Sequence, residues 1–269
     1  MDRPPLVTCY IATYNRPDAL AVALEGLARQ TFKDFEVIVV DDAGADVAGI
    51  VAAFPDLDVE LVIQPANMGA PAAHNVAIAR ARGELLLWHD DDDFLTPCHL
   101  DRMVQALGAA DGAVCDAELY RFTLVDGLRV PVARDLLAHE LSLDLLKRSL
   151  TFTPTGALYR KSIHEAIGPM DESFRYCYDD WDFFLRAMRM FKFVRVPVAS
   201  VCYAVAGDSV SGDLDRARPH LARLMAKHGL AGIAVSNFGR LPEDPLLAPY
   251  RRPTTRVWDG QPLRARVAP

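Results

Sequence analysis

The sequence predicts an α/β fold built on a mainly parallel β-sheet flanked by helices, and three observations support this. Short β-rich segments alternate with helical patterns through the first 110 residues. These segments are apolar along their whole length, which is typical of strands covered by helices on both faces. Polar clusters follow them at the points where strands end. In open parallel sheets, ligands bind beyond the carboxyl ends of the strands.

The first half of the chain predicts four strands separated by three helices. The strands cover residues 6–12, 35–40, 59–64 and 84–89. The helical patterns cover 17–30, 45–54 and 70–81; the first begins with Pro17 and Asp18, both favourable in a first turn, and the last is stopped by Gly83.

The second half is less regular. We expect a strand and turn at 113–127, an amphipathic helix at 140–150, and a strand followed by a short helix at 155–168. Residues 179–190 have helical spacing, 193–205 favour extended structure, 206–213 a flexible loop, and 216–229 a helix. The Pro- and Arg-rich residues 241–269 predict an extended or partly disordered tail.

Composition limits the classes of function. The chain has 269 residues, 51% of them hydrophobic, and a formal net charge of −7, so no overall basic field attracts nucleic acid. Its five cysteines show no C-x-x-C spacing, which favours reduced thiols. The sequence "MDRPP" is followed by no signal-peptide or membrane-spanning pattern. We therefore expect a soluble, cytoplasmic protein without nucleic-acid partners.

Four polar clusters lie at predicted strand ends: "TYNR" at 13–16, "DD" at 41–42, "NMG" at 67–69 and "HDDDD" at 89–93. Because these ends meet along one edge of a parallel sheet, we expect all four clusters to face one crevice.

The run from Asp90 to Asp93 is the most unusual of these clusters. Adjacent carboxylates repel, and burying an unpaired one is expensive, so a cation is expected there. Oxygen ligands on a short loop suit Mg²⁺ or Mn²⁺, which bind through one or two carboxylates together with substrate phosphates. Zinc at His89 is disfavoured because no second His or Cys stands at ligand spacing.

A second acidic cluster contains Asp179, Asp180 and Asp182 at the start of a predicted helix. Negative charge there complements the helix dipole. A carboxylate at a cleft edge can also act as a general base. The residues alone favour neither interpretation.

Taken together, these segments resemble the family 2 glycosyltransferases of the GT-A fold. The resemblance rests on "YIATYNRPDALAVALEGLARQTFKDFEVIVVDDAGAD", "NMGAPAAHNVAIARARGELLLWHDDDDFLTP" and "GALYRKSIHEAIGPMDESFRYCYDDWDFFLRAM". It covers roughly residues 6–205 and fades beyond 215. It implies a Rossmann-like domain over 1–215, with a nucleotide-binding half at about 1–110 and an acceptor-binding half at about 111–215. Residues 216–269 would form a helical and extended C-terminal extension.

The resemblance implies the donor-binding residues. Asp42 corresponds to the residue that bonds the nucleotide base; without the resemblance it would be a cap for the next turn. Asn67 and Gly69 correspond to the loop beneath the nucleoside. The first donor loop corresponds to Thr13, Tyr14, Asn15 and Arg16.

The resemblance also implies the catalytic and metal-binding residues. Asp91 belongs to the sugar-nucleotide motif, Asp92 is the preferred ligand of Mn²⁺ or Mg²⁺, and Asp90 is the reserve ligand. Asp93 is expected to cap the following turn. Asp180 corresponds to the catalytic base, and the acceptor site is shaped by Asp179 and Trp181.

Two positions depart from the family pattern. His74 stands where many members have Arg, which would alter one phosphate or nucleoside contact. Ala206 stands where many members have a His that joins the metal or diphosphate. Either Asp208 or Ser209 would substitute for it, or the metal would rely on phosphate and water.

The resemblance implies an inverting, metal-dependent hexosyl transfer in glycan biosynthesis, from a nucleoside-diphosphate sugar, first of all a UDP-sugar, to an acceptor hydroxyl. The acceptor stays open among glycans, lipid-linked glycans and small molecules. Peripheral membrane contact through the tail arginines and a homodimer are further hypotheses. The alternatives are a non-catalytic nucleotide-binding relative and a sugar-phosphate nucleotidylyltransferase; the latter is disfavoured because no glycine-rich basic loop follows the first strand.

Overall fold

The computed structural model describes residues 3–205, 214–233 and 238–264. The predicted loop at 206–213, with Ala206, Asp208 and Ser209, lies outside these residues. Within them, no helix combines the length and apolar character needed to cross a bilayer.

The chain forms strands and helices in alternation through its first half. The strands are β1 (Val7–Thr13), β2 (Phe35–Asp41), β3 (Val59–Ile63), β4 (Leu85–Trp88), β5 (Phe94–Leu95), β6 (Gly112–Val125), β7 (Leu128–Leu137), β8 (Leu158–Arg160), β9 (Phe193–Ala204), β10 (Thr255–Arg256) and β11 (Leu263–Arg264). The α-helices are α1 (Pro17–Ala28), α2 (Ala48–Ala52), α3 (Ala70–Arg80), α4 (His99–Leu107), α5 (Leu143–Leu146), α6 (Ile163–Ile167), α7 (Asp179–Ala187) and α8 (Leu214–His228). Short 3₁₀ helices cover Glu172–Phe174, Phe238–Glu243 and Ala248–Tyr250.

The strands form one mixed sheet with the main order β10-β9-β6-β8-β4-β1-β2-β3. β1 pairs in parallel with β2 and β4, and β2 in parallel with β3. β8 runs antiparallel between β4 and β6, while β6 and β9 are parallel. β7 forms an antiparallel hairpin with β6. The predicted α/β fold with a mainly parallel sheet flanked by helices is confirmed.

Both faces of the central strands are covered, which explains their apolar sequences. In β1, Cys9 and Ile11 pack into a cluster with Leu24 of α1. The intervening Tyr10 packs on the other face with Ala73 of α3 and Phe183 of α7. Because successive side chains of a strand point to opposite faces, a strand buried on both sides needs apolar residues at every position.

Two segments differ from the sequence-based predictions. The helix predicted over 140–150 is confined to Leu143–Leu146 of α5, capped by the Ser142 hydroxyl, which accepts from the Leu145 N–H. Part of the C-terminal tail joins the sheet, since β10 pairs with β9 and β11 with β7. Arg252 and Arg256 in this tail form ion pairs with Glu140 and Glu118 of their own chain.

Candidate active site

The carboxyl ends of β1, β2 and β4 open into a cavity of about 740 Å³. The register that pairs Thr13 with Asp41 brings the loops after β1 and β2 to the same level. Asn15 does not line the cavity; it adopts a left-handed φ of 56° within the first loop. The predicted site residues that do line it are Thr13, Tyr14, Arg16, Asp42, Asn67, Gly69, Asp90, Asp91, Asp92, Asp179, Asp180 and Trp181.

The four residues Asp90–Asp93 that follow β4 form what we call the carboxylate loop. Neighbours from β1, from β4 itself and from the residue before α1 hold this loop in place. Asp90 accepts a hydrogen bond from the Trp88 indole at 2.9 Å. Asp91 accepts from the Thr13 hydroxyl at 2.7 Å. Arg16 lies 3.2 Å from Asp91 and 3.0 Å from Asp92, so one guanidinium serves two acids.

The electrostatics of this loop favour a further cation. Burial, followed by the charge of Asp92, raises the pKa of Asp90 to about 6 and that of Asp91 to about 7. The positive charge of the adjacent Arg16 therefore does not fully compensate the negative charge of Asp90 and Asp91 when they are ionised; we call such carboxylates undercompensated. Hard divalent cations prefer oxygen ligands of this kind, so the residues fit Mg²⁺ or Mn²⁺.

In the part of the chain that the structure describes, no group of three or more His, Cys, Asp or Glu side chains is arranged to hold a metal ion. An ion bound by Asp92 and Asp90 would need oxygen atoms from a phosphate or water to complete its coordination. That requirement is normal for Mg²⁺, which keeps several non-protein ligands.

Asp93 points away from the cavity. It is fully buried, and one carboxylate oxygen accepts from the backbone N–H of Ala204 at 2.9 Å. The prediction that Asp93 caps the following turn is therefore wrong. Its partner lies in β9, which is distant in sequence, so Asp93 ties the carboxylate loop to the end of that strand.

Helix α7 begins at the cavity wall. Tyr178 precedes it in a left-handed conformation with a φ of 70°, which is unusual outside glycine and occurs at functional sites. Asp180 accepts from the backbone N–H of Trp181 at 2.7 Å. Burial, partly opposed by that hydrogen bond, and the charge of Asp90 raise the pKa of Asp180 to about 7. A carboxylate with such a pKa is suited to accept a proton near neutral pH.

Beside it, Asp179 is buried next to His74. His74 packs edge-on against Tyr10 and Trp88, with its Nδ1 atom 3.8 Å from Asp179. Burial lowers the pKa of His74 to about 3, so the imidazole is neutral at physiological pH. His74 therefore does not replace the positive charge of the arginine found in many members of the resembled family.

Asp42 organises the 67–69 loop on another side of the cavity. Its carboxylate accepts from the backbone N–H groups of Met68 and Gly69, each at 2.7 Å, and from the Gln64 amide at 2.8 Å. The next turn is instead bonded by Asp41, which accepts from the Gly44 N–H at 2.8 Å. The alternative role of Asp42 as a cap for that turn is not observed.

The wall opposite the sheet comes from the segment before α7 and from α8. Arg175 donates to the Asn67 side-chain oxygen at 2.8 Å and covers Gly69, where a Cβ atom would lie 2.5 Å from the arginine side chain. Arg216 of α8 stacks over Tyr176, with its guanidinium carbon 3.8 Å from the ring centroid. These residues enclose the cavity above the 67–69 loop.

Residues 8–168 match the family model described as Glycosyl transferase family 2. An uncharacterized glycosyltransferase of Bacillus subtilis (strain 168), YwdF, is 38% identical over 264 residues, which cover 97% of this chain and 98% of that protein. The chain belongs to glycosyl transferase family 2. Another relative is the succinoglycan biosynthesis protein ExoO of Rhizobium meliloti (strain 1021), 37% identical over 42% of this chain and 33% of its own length.

Solved structures share the fold of this family 2 glycosyltransferase. A structure of S. aureus TarS 1-349 in complex with UDP-GlcNAc aligns with a TM-score of 0.62 and 22% identity, over 82% of this chain and 66% of that one. The mannosyltransferase PcManGT from Pyrobaculum calidifontis, in complex with GDP-Man and Mn²⁺, aligns with a TM-score of 0.63 and 20% identity, over 90% and 69% of the two chains. Both are GT-A neighbours, which confirms the predicted fold type.

The sequence analysis of this family 2 enzyme missed the cavity wall opposite the sheet. Arg175 and Tyr176 stand next to the second acidic cluster, but no spacing marked them as cavity residues. Arg216 and His220 belong to a helix that was predicted without a functional role. Arginine beside an aromatic residue, as in "FRYCY", was the one available signal, and it is weak.

Proposed function

We propose that this glycosyltransferase transfers a sugar, with inversion, from a nucleoside-diphosphate sugar to an acceptor hydroxyl, with Mn²⁺ or Mg²⁺ bound at the carboxylate loop. One observation carries the proposal. Asp180, with a pKa of about 7, lines the same cavity as Asp92 and as Asp90 and Asp91, whose pKa values are raised. One part of the cavity can thus accept a proton while another binds a cation and its diphosphate.

In this mechanism Asp180 accepts the proton of the acceptor hydroxyl as its oxygen attacks the anomeric carbon. The bond from that carbon to the diphosphate breaks on the opposite face, so the configuration inverts. Asp92, with Asp90, would hold the divalent ion, which neutralises charge on the departing diphosphate when it is bound. Asp179 and Trp181 would shape the acceptor site.

The donor half, at about 1–110, would use Thr13, Tyr14, Arg16 and the 67–69 loop to surround the nucleotide, and the acceptor half would begin at about 111. Asp42 would contribute to base recognition from a carboxylate that already holds that loop. UDP-sugars are the first donors to test, because TarS binds UDP and UDP-GlcNAc, although PcManGT holds GDP-Man. The similarity to ExoO, a succinoglycan biosynthesis protein, supports a role in glycan biosynthesis. The cytoplasmic location stays a prediction.

The test is a binding panel of UDP, GDP and dTDP and their sugars, each with and without Mn²⁺, measured by calorimetry and thermal shift. We expect one sugar nucleotide to bind, with affinity that depends on the metal. Asp92→Asn should weaken this metal-dependent binding, whereas Asp144→Asn, an exposed control remote from the cavity lining, should not. If no donor binds with manganese present, the proposal fails.

The reaction products distinguish the proposed transferase from a non-catalytic nucleotide-binding protein and from a nucleotidylyltransferase. Slow release of sugar from a bound donor in the presence of Mn²⁺ supports a transferase and contradicts a non-catalytic nucleotide-binding protein. Release of pyrophosphate from a nucleoside triphosphate and a sugar 1-phosphate would instead identify a nucleotidylyltransferase.

A further inference from the structure

The hairpin formed by β6 and β7 ends in an apolar tip exposed to solvent. Leu124 is 63% exposed, Val125 49%, Leu128 37% and Val132 62%. Single exposed apolar residues are common, but several beside one turn are a candidate interaction surface. We call Leu124, Val125 and Leu128, which flank the turn, the hairpin tip; Val132 lies further from the turn, at the irregularity in the pairing of β6 and β7. Other large exposed hydrophobic residues in the described ranges are spread over separate elements: Tyr14, Ile63, Met68, Met190 and Leu246.

The hairpin is a defined structure. Asp126 and Gly127 form its two-residue turn, with φ values of 50° and 76°, as in the tight turns that favour Asp-Gly. Leu124 pairs with Arg129, and Val125 pairs with Leu128. Because opposite residues share a face and successive residues alternate, Leu124 lies on one face and Val125 and Leu128 lie on the other.

The end of the hairpin nearest the turn contacts the carboxylate loop through Arg129. Arg129 is buried, and it donates to the backbone oxygen of Asp92 at 2.6 Å and to the Tyr120 hydroxyl at 3.3 Å. It also lies over the Phe122 ring, 4.9 Å from the centroid. The turn residue Gly127 is two residues before Arg129, which corresponds to about 7 Å at the rise of a β-strand. Whatever the hairpin tip contacts is therefore held close to the proposed metal site.

A cationic residue lies beside the tip. β11 pairs with β7 so that Arg264, which is exposed, stands opposite Leu128. Asp126 in the turn carries the opposite charge, so apolar contact supplies most of the attraction. Apolar side chains next to an arginine are typical of protein segments that enter the headgroup region of a membrane.

We propose that the hairpin tip and Arg264 dock on a lipid surface that contains anionic headgroups. A flat protein partner would cover one face of the hairpin, whereas a fluid interface can surround the apolar residues on both faces. Arg264 is one of the tail arginines for which membrane contact is predicted, whereas Arg252 and Arg256 are paired within the chain; the hairpin tip is the new element of this proposal. If the proposed function holds, on which this step rests, the same membrane contact favours a lipid-linked acceptor among the three acceptor classes.

The test measures binding to vesicles by flotation, without nucleotide or metal, so its result does not depend on the proposed activity. The vesicles contain equal parts of phosphatidylglycerol and phosphatidylcholine. The double variant L124S/L128S should bind about tenfold more weakly than the wild type, as expected for the loss of two partly inserted apolar side chains. Arg264→Gln should lower binding to these vesicles but not to pure phosphatidylcholine.

The matched control is Ile63→Ser, because Ile63 is also 63% exposed but lies on β3 at the far end of the sheet. Its vesicle binding should equal that of the wild type, and thermal melts should show that all variants fold. The proposal is overturned if the wild type does not float, or if I63S and L124S/L128S lose binding equally. It is also overturned if sedimentation shows a wild-type dimer that L124S/L128S converts to a monomer, since the tip would then contact a second copy. Vesicle binding in a chain that binds no sugar nucleotide would refute the proposed function and leave the docking surface standing.

Discussion

The two acidic clusters have similar sequences, but one acid of the second cluster, Asp182, has an electrostatic environment opposite to that of Asp90 and Asp91. In the loop after β4, Asp90 and Asp91 face the cavity with raised pKa values, and buried Asp93 has one oxygen without a hydrogen-bond partner. In α7, Asp180 faces the cavity, while Asp182 accepts from His228 and Arg186, each at 2.8 Å, and contacts Lys227 at 2.6 Å. These partners outweigh burial and lower the pKa of Asp182.

The difference shows what separates a structural acid from a candidate functional one. It is the number of basic side chains in contact with the carboxylate, and not the number of adjacent carboxylates. Asp182 has three basic neighbours from α7 and α8, so it fastens these helices together. Asp90 accepts a hydrogen bond from the Trp88 indole and interacts only weakly with the charge of Arg16. It is therefore suited to a ligand that brings its own positive charge. Four variants and conditions test this contrast.

The largest effect is expected for Asp180→Asn. The amide can still accept from the Trp181 N–H but cannot take a proton, so turnover should fall by about 10²–10⁴-fold. Donor affinity should change little, which calorimetry can confirm. Steady-state transfer, or donor hydrolysis where no acceptor is known, provides the rate. Wild-type turnover in this variant would remove Asp180 from the mechanism.

Asp182→Asn should mainly affect stability. Removing this buried charge leaves three basic groups without their shared partner, which costs about 3 kcal/mol, or a decrease in Tm on the order of 10 °C. Thermal melts of D182N and D180N make the comparison direct, because D180N removes an undercompensated charge and should not lower Tm. Equal losses in the two variants would contradict the proposed difference between the positions.

Asp90→Asn should stabilise the ligand-free protein at neutral pH. A carboxyl with a raised pKa in the folded state destabilises that state as pH rises above its unfolded value near 3.9, and the full cost is reached above about pH 6. The gain should be about 2 kcal/mol at pH 7.5 and should decrease toward pH 4. Denaturant titrations at the two pH values measure it. A stability gain that does not depend on pH would show that charge is not its cause.

The smallest expected effect is the change that Asp90→Asn makes in the pH dependence of the rate. In the proposed mechanism Asp180 must be deprotonated, so turnover should fall about tenfold for each pH unit below its pKa of about 7. Part of this raised pKa comes from the charge of Asp90, so D90N should move the midpoint to lower pH. Rates at saturating donor between pH 5 and 9 test both statements. An unchanged midpoint in D90N would show that the two clusters do not interact.

Much of the fold followed from local patterns. β1 to β4 begin and end within one or two residues of the predicted limits, because strands buried on both faces leave continuous apolar segments. The helix at 140–150 was predicted too long because Leu145, Leu146 and Leu150 all pack into the core at helical spacing, although the helix ends at Leu146. Core contact alone does not require a helix.

The candidate site was less fully predictable, since its contacts join distant parts of the chain. Position after a strand was enough to indicate that the four polar clusters share one cavity. The bonds of Asp93 to Ala204, Arg175 to Asn67 and Arg129 to Asp92 span 111, 108 and 37 residues, and no spacing rule reaches that far. The assigned roles of individual site residues stay predictions until the variants are measured.

In the proposed function, the bonds that Asp42 makes to the 67–69 loop would restrict how nucleotide preference can change. A substitution chosen to accommodate a different base would also release two backbone amides and Gln64, so the pocket floor would deform before selectivity improved. Divergence toward another donor would more easily begin at Tyr14, which is 46% exposed at the cavity edge. Directed evolution of base selectivity should therefore randomise Tyr14 and leave Asp42 fixed.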